Sequence, residues 1–352
     1  MLPDVLTVNA GSTSTKLSRR VAGRDVDPPD SLHDALADQR VPAVVIHRVV
    51  HGGTRTAPEI LDHEGVAALR ALTDLAPLHQ PPALDAIDRC RAAWPDSTQI
   101  ACFDTSFHTS MPPEARTYAL PARLRATIQV AGFHGLSHAW AARRTRELAP
   151  QARRVLVAHL GGGQSLCGIH DGRSVVTTMG FTPLDGLVMA TRSGSLDPGA
   201  VLYLAKQGHT VADLETMFER ESGLLGLAGT GDMRAVLARR RDGDADARAA
   251  IAVWLHRFVR QAGGCIAVLG GLDALVFTGG IGENSAQIRR LVADRLSWLG
   301  IAIADELTTE PDDAADITAP DAAVRTLVVH AREDLQMIDD ASALLAGRRE
   351  QP

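Results

Sequence analysis

Residues 155–165, VLVAHLGGGQS, decide how this chain is read, because residues 5–15, VLTVNAGSTST, repeat their pattern. Each copy runs as an apolar, β-branched strand, a polar residue (Asn9 or His159), an apolar residue, a glycine and a loop of small residues before a return strand. The offset from Gly11 to Gly161 is 150 residues. That is about the length of one domain, so the self-similarity indicates duplication of a whole domain and not a short solenoid repeat. A third strand-to-glycine unit, ALVFTGGIGEN (274–284), leads into a helical pattern over 285–299. Glycine turns of this kind let backbone N–H groups approach phosphate oxygens with no Cβ in the way. None fits GxxxxGK[ST], which excludes a P-loop, and none fits GxGxxG with a downstream acid, which speaks against a dinucleotide fingerprint.

Outward from these turns, residues 43–50, 99–103, 174–178 and 326–330 read as further strands. Apolar spacing predicts helices over 64–75, 84–93, 200–206, 211–219, 245–268 and 335–345, and an Ala- and Arg-rich helix running to about Leu148. Residues 19–40 are polar and broken by Pro28-Pro29, which predicts a loop or a short helix. Strands alternating with helices indicate an α/β fold.

The length of 352 residues suits two domains, and 45% apolar with 22% charged residues is ordinary for a globular protein. A net charge of −6 offers no basic footprint, so no nucleic acid or anionic membrane surface is expected as a partner. Of the 36 basic residues only Lys16 and Lys206 are lysines. No run of about 18 apolar residues is present and the first residues lack a basic leader pattern, which predicts a cytoplasmic protein. The four cysteines show no CxxC spacing, which fits reduced, buried thiols better than a disulfide framework or a zinc site.

Several residues stand out chemically, each with a plainer account beside it. Lys16 in the first turn is placed to meet a phosphate, or is a solvated strand end. Arg48, inside the apolar run AVVIHRVV, needs an anionic ligand or a structural ion-pair partner. Asp104 follows a buried strand, where α/β folds place ligand-contacting residues, or caps a helix. Arg192 is a ligand arginine or a solvated loop residue. His79, His134, His138 and His159 lack zinc spacing, and Glu333 and Asp334 are indirect magnesium holders or first-turn carboxylates.

The segments VNAGSTSTK (8–16), HRVVHGG (47–53), LAPLHQP (75–81), FDTSFH (103–108), GFHGLSH (132–138), AHLGGGQS (158–165), MGFTPLDGLVMATRSGSLDPG (179–199), GDMR (231–234) and FTGGIGEN (277–284) occur in the order seen in acetate kinases. The chain resembles that family from end to end. The resemblance implies two duplicated actin-like (ribonuclease H-like) domains around a nucleotide cleft. It places an N-terminal domain at 1–108, completed by the helix 334–352, and a C-terminal domain at 109–333. It further implies reversible phosphoryl transfer from ATP to acetate giving acetyl phosphate and ADP, with Mg²⁺ (or Mn²⁺), in a homodimer.

Carried over by motif, Arg48 resembles the substrate-carboxylate arginine, and Val50, Leu78, Phe133 and Pro183 the residues that pocket the methyl group. Ser12, Ser14 and Lys16 are similar to the phosphate-side residues, with Asn9 and Glu333 associated with the metal. Asp104, His134 and Arg192 resemble the catalytic group. His159, Leu160, Gly161, Gly162 and Gly163, with Asp232, Met233 and Arg234 and with Gly280, Ile281, Gly282, Glu283 and Asn284, are similar to the ATP-binding segments. Three departures stand beside this: Gly162 replaces the usual asparagine of HLGNG, Asp334 replaces a second glutamate, and the stretch between Lys16-Leu17 and HRVVHGG is short. Propionate or another short-chain acid as substrate, or a weakly active nucleotide-binding homologue, are the alternative readings.

Overall fold

The computed structural model describes residues 2, 4–11, 15–77, 79–304 and 313–349. The chain forms two compact units, one of residues 1–109, 133–140 and 332–352, the other of 110–132 and 141–331. Residues 133–140 therefore group with the first unit, where the sequence reading had them in the second span.

The first unit holds a sheet of β1 (Asp4–Ala10), β2 (Thr15–Val21), β3 (Arg24–Val26), β4 (Val44–Val49), β5 (Glu59–Ile60) and β6 (Thr98–Phe103), in the order β3-β2-β1-β4-β6-β5. The second holds β7 (Arg154–Leu160), β8 (Gln164–His170), β9 (Arg173–Thr177), β10 (Ala274–Thr278), β11 (Ala314–Asp316) and β12 (Arg325–Val329). Its order, β11-β12-β10-β7-β8-β9, is the first order written from the other edge. In both sheets three strands are parallel: β1, β4 and β6 in one, β7, β10 and β12 in the other. The duplication seen in eleven residues thus extends to the whole strand pairing.

Parallel neighbours need crossover connections, and helices supply them. The helix Gln80–Ala93 joins β4 to β6, and its Ala86 and Cys90 pack with Leu6, Val8 and Val45. On the opposite side chains of the same strands, Val5, Val44 and Ile46 pack with Met337 and Ala341 of the C-terminal helix Glu333–Arg349. This two-residue alternation buries both faces of the sheet. In the second unit the 25-residue helix Ala245–Leu269 lays Trp254 and Phe258 against Leu156 and Phe277. Among the described residues no helix is long and apolar enough to cross a membrane.

The structure departs from the expected elements where charge or short length hid them. Residues 19–40, expected as a loop or a short helix, hold the short helix Leu32–Ala37 and, beyond that expectation, the end of β2 and all of β3. Arg19 in β2 is 3% exposed, donating to both carboxylate oxygens of Asp4 at 3.1 and 2.8 Å and to the Arg40 carbonyl at 2.9 Å. A buried, paired arginine reads as solvent in any hydropathy pattern, so the far end of the expected return strand was not legible. The third glycine unit is not a loop: Gly279–Asn284 is a helical turn directly after β10. GDMR opens the unexpected helix Met233–Arg241.

Candidate active site

Asn9, Arg48 and Asp104 stand at the C-terminal ends of β1, β4 and β6, adjacent parallel strands. Open α/β sheets present ligand-contacting residues at that end. Arg48 Nε donates to Asp104 Oδ1 at 3.0 Å and Nη2 to Oδ2 at 2.5 Å, while Nη1 donates to Asn9 Oδ1 at 3.1 Å. A guanidinium has five N–H donors, so one on Nη1 and one on Nη2 are left by these bonds. Asn9 Nδ2 in turn donates to Glu333 Oε2 at 2.7 Å, which ties the first residue of the C-terminal helix into the cluster. The Asp104 carboxylate is engaged by Arg48 and also by the backbone N–H of His134.

Asp104 is 1% exposed. Burial pushes its carboxyl above the usual range, the Arg48 guanidinium pulls it back down, and Glu333 adds to the rise. For Arg48 burial favours the neutral form, but Asp104 and Glu333 overcome it and hold the guanidinium firmly protonated. Both questions about Arg48 receive one answer: it is a structural ion pair with donors to spare. Asp334, by contrast, turns to Arg332 at 2.9 and 3.0 Å.

Backbone clamps hold this cluster in place. Gln80, fully buried, accepts from His51 N through Oε1 and donates through Nε2 to the carbonyls of His51 and Leu69, each at 3.2 Å. That fixes the chain just past Val50, which is 3% exposed. Thr105 Oγ1 accepts from Gly52 N at 3.1 Å. Gly135 N donates to the Asp104 carbonyl at 3.0 Å, and a Cβ on Gly135 would lie 2.0 Å from that oxygen. Only glycine fits there. His134 just before it adopts φ +57°, a left-handed conformation rare for a non-glycine residue. Phe133, 1% exposed, accepts through its carbonyl from buried His108 at 2.9 Å and meets the His51 ring edge-on at 5.8 Å. Burial lowers His51 and His108 to about 4, so both rings are neutral near pH 7. Gln80, Thr105 and Gly135 were not singled out from the sequence, although each lies inside a quoted motif: LAPLHQP, FDTSFH and GFHGLSH.

In the second unit the residues singled out by motif present backbone more than charge. His159 and Leu160 end β7, and Gly161–Gly163 turn the hairpin into β8, with Gly161 N donating to the Gly163 carbonyl at 3.1 Å. A Cβ on Gly162 would meet nothing within 4 Å, so the glycine leaves open the space that an asparagine side chain would enter. Leu160 and Met233, 0% and 2% exposed, belong to the core and can offer a ligand only their backbone. Asp232 caps its helix by accepting from Arg234 N at 2.9 Å. Gly279, missed in the sequence, has φ +77° and would place a Cβ 2.8 Å from the Leu160 carbonyl oxygen. Glu283 Oε1 accepts from the N–H groups of Gly279 and Ala331 at 2.7 and 2.8 Å, and Asn284 Nδ2 donates to the Gly280 carbonyl at 2.9 Å. Gly280, Ile281 and Gly282 lie in that same helical turn. Arg192 Nη1 reaches the Pro183 carbonyl at 3.4 Å, and burial lowers the guanidinium from its ordinary value against the pull of Glu219. Lys16 is exposed on β2, opposite Asn9 in the register. Ser12, Ser14 and Leu78 lie outside the described residues.

Among the described residues no three His, Cys, Asp or Glu side chains form a ready-made metal cage. The donor set around Arg48 is nonetheless all oxygen, with two carboxylates near one guanidinium. Mg²⁺ is typically held by one or two carboxylates together with substrate phosphates, so Asn9, Asp104 and Glu333 fit an ion that arrives with a nucleotide.

Residues 32–339 match the sequence profile of the acetokinase family. An acetate kinase of Pseudarthrobacter chlorophenolicus is 45% identical over 324 residues, covering 90% of this chain and 83% of its own length. A propionate kinase of Edwardsiella piscicida is 43% identical over 312 residues, 86% of this chain and 78% of that protein. The crystal structure of a propionate kinase from Francisella tularensis subsp. tularensis SCHU S4 superposes with a TM-score of 0.87 at 31% identity, over 96% of this chain and 99% of that one.

Proposed function

The chain belongs to the acetokinase family, and on that premise we propose that it transfers the γ-phosphoryl group of ATP reversibly to the carboxylate of acetate, giving acetyl phosphate and ADP. The observation that carries this reading is Arg48, fixed on two sides by Asp104 and Asn9, with N–H donors left for a carboxylate. Val50, two residues along from Arg48, and Phe133 supply the apolar contact for a small acyl group. A carboxylate is already ionised at neutral pH, so no general base is required and Asp104 serves to position Arg48. Transfer is direct and in line, and its rate rests on alignment and on charge placed around the phosphoryl oxygens by Arg48, His134 and Arg192. Magnesium bound with the nucleotide would neutralise phosphate charge, with Asn9, Asp104 and Glu333 holding it directly or through water. Lys16, the 159–163 hairpin turn, Asp232–Arg234 and Gly280–Asn284 are assigned to ATP.

Propionate is the second substrate reading, favoured by the 43% identical propionate kinase. One methylene in an apolar pocket discriminates by only about 1–3 kcal/mol. The test is ADP release from Mg·ATP with no acid, acetate, propionate and butyrate, with hydroxylamine trapping the acyl phosphate. Release that depends on the acid and yields a hydroxamate supports the reading and ranks the acids. Release indifferent to every acid contradicts it. We assign the protein to the cytoplasm and to a homodimer; exposed Leu196, Leu202 and Tyr203 of the second unit offer apolar area for a second copy, which sedimentation would test.

A further inference from the structure

A cavity of about 800 Å³ opens in the first unit at the start of β6, at the other end of that strand from Asp104. Gln99 lies five residues before Asp104, and at roughly 3.3 Å per residue of strand that separates the two by about 16 Å. The cavity wall joins apolar Leu61, Val66 and Trp94 to polar Arg91 and Gln99. Gln99 is 4% exposed; its Oε1 is bonded to His47 Nε2 at 2.8 Å, and its Nε2 has no hydrogen-bond partner. A buried amide donor left unmet is costly, and a ligand that accepts from it recovers that cost. Half-buried Arg91 makes one hydrogen bond, from Nη1 to the Leu61 carbonyl at 2.6 Å, and no ion pair among the described residues. Arg70 and Asp88 on the same wall neutralise each other at 2.6 Å, and Asp96 is exposed. The inner polar groups without a counterpart are therefore donors: the Gln99 amide and most of the Arg91 fork.

We infer that this cavity binds a small anion, its carboxylate or phosphate oxygens accepting from Arg91 and Gln99 beside the Trp94 ring. The site shares no residue with the Arg48 cluster, and its occupancy does not require that the proposed reaction takes place.

Because Trp94 lies in the wall, its fluorescence reports occupancy. The full-length protein is titrated with inorganic phosphate and, separately, with butyrate, which distinguishes a phosphate from a carboxylate ligand. Trp94→Phe identifies the reporting ring. The expected result is a saturable change with at least one anion, absent in Trp94→Phe, whose Kd rises about tenfold or more in Arg91→Ala and in Gln99→Leu. Arg91→Ala should keep the acid-dependent turnover of the parent. A Kd unchanged in Arg91→Ala, or no saturable change with either anion, overturns the inference.

Discussion

The two sheets share one strand order and differ in what they place at the ends of their parallel strands. Val5 pairs with Val44 in the first sheet as Val155 pairs with Ala274 in the second. Four residues further along, Asn9 and Arg48 of the first sheet correspond to His159 and Thr278 of the second. The first sheet then adds Asp104 and builds a charged cluster; the second adds Gly279 and a helical turn whose backbone N–H is met by Glu283. One duplicated frame has thus been specialised into a half that carries charge and a half that carries close backbone approach. The fold sets where ligands can be met, and the strand-end residues set which ligands those are.

The largest effect should come from breaking the charged half. Arg48→Ala leaves Asp104 buried beside no cation and should cost about 3–5 kcal/mol of stability, read by urea denaturation, with acid-dependent turnover lost. A loss of comparable size is expected from acid alone. His47, His51 and His108 of the first unit are each lowered to about 4 by burial. The unfolded chain takes up their protons near pH 6.5 while the fold refuses them until about 4. Stability is therefore complete above that upper value and falls as pH drops. By pH 5.5 the loss should be about 1.4 kcal/mol for each ring, and a urea midpoint that stays level from pH 7.5 to 5.5 would contradict it. In the backbone half, Gly279→Ala should cost roughly 2–3 kcal/mol through its positive φ and the Leu160 carbonyl, measured by thermal unfolding. Gly162→Asn should sharpen the contrast by changing stability less than about 0.5 kcal/mol, since open space surrounds that position. Its effect, if the loop serves ATP, falls on nucleotide affinity.

The duplicated frame was legible because strand, polar residue and glycine recur in sequence, and Arg48 was legible because a charge inside an apolar strand demands a partner. Which partner was not legible. Asp104 is 56 residues away, and only the parallel pairing of β4 with β6 brings the two together. Gly135 and Gln80 escaped for a related reason: their task is to fit or bond the backbone of distant segments, which leaves no periodic or compositional mark. Arg19 hid how far the return strand β2 extends, because an ion pair with Asp4 let it be buried. Met233 and Leu160 came from motif resemblance, and the structure gives their side chains to the core.

Arg48→Lys tests the division of labour most directly, because it keeps a cation beside Asp104 and removes the fork. The measurement is ADP affinity together with acetate-dependent ADP release from Mg·ATP. Affinity for ADP should stay within about threefold of the parent, while kcat/KM for acetate falls by roughly 10²–10³. Full acetate-dependent turnover in the variant, or ADP binding lost while the thermal midpoint is kept, would contradict that division.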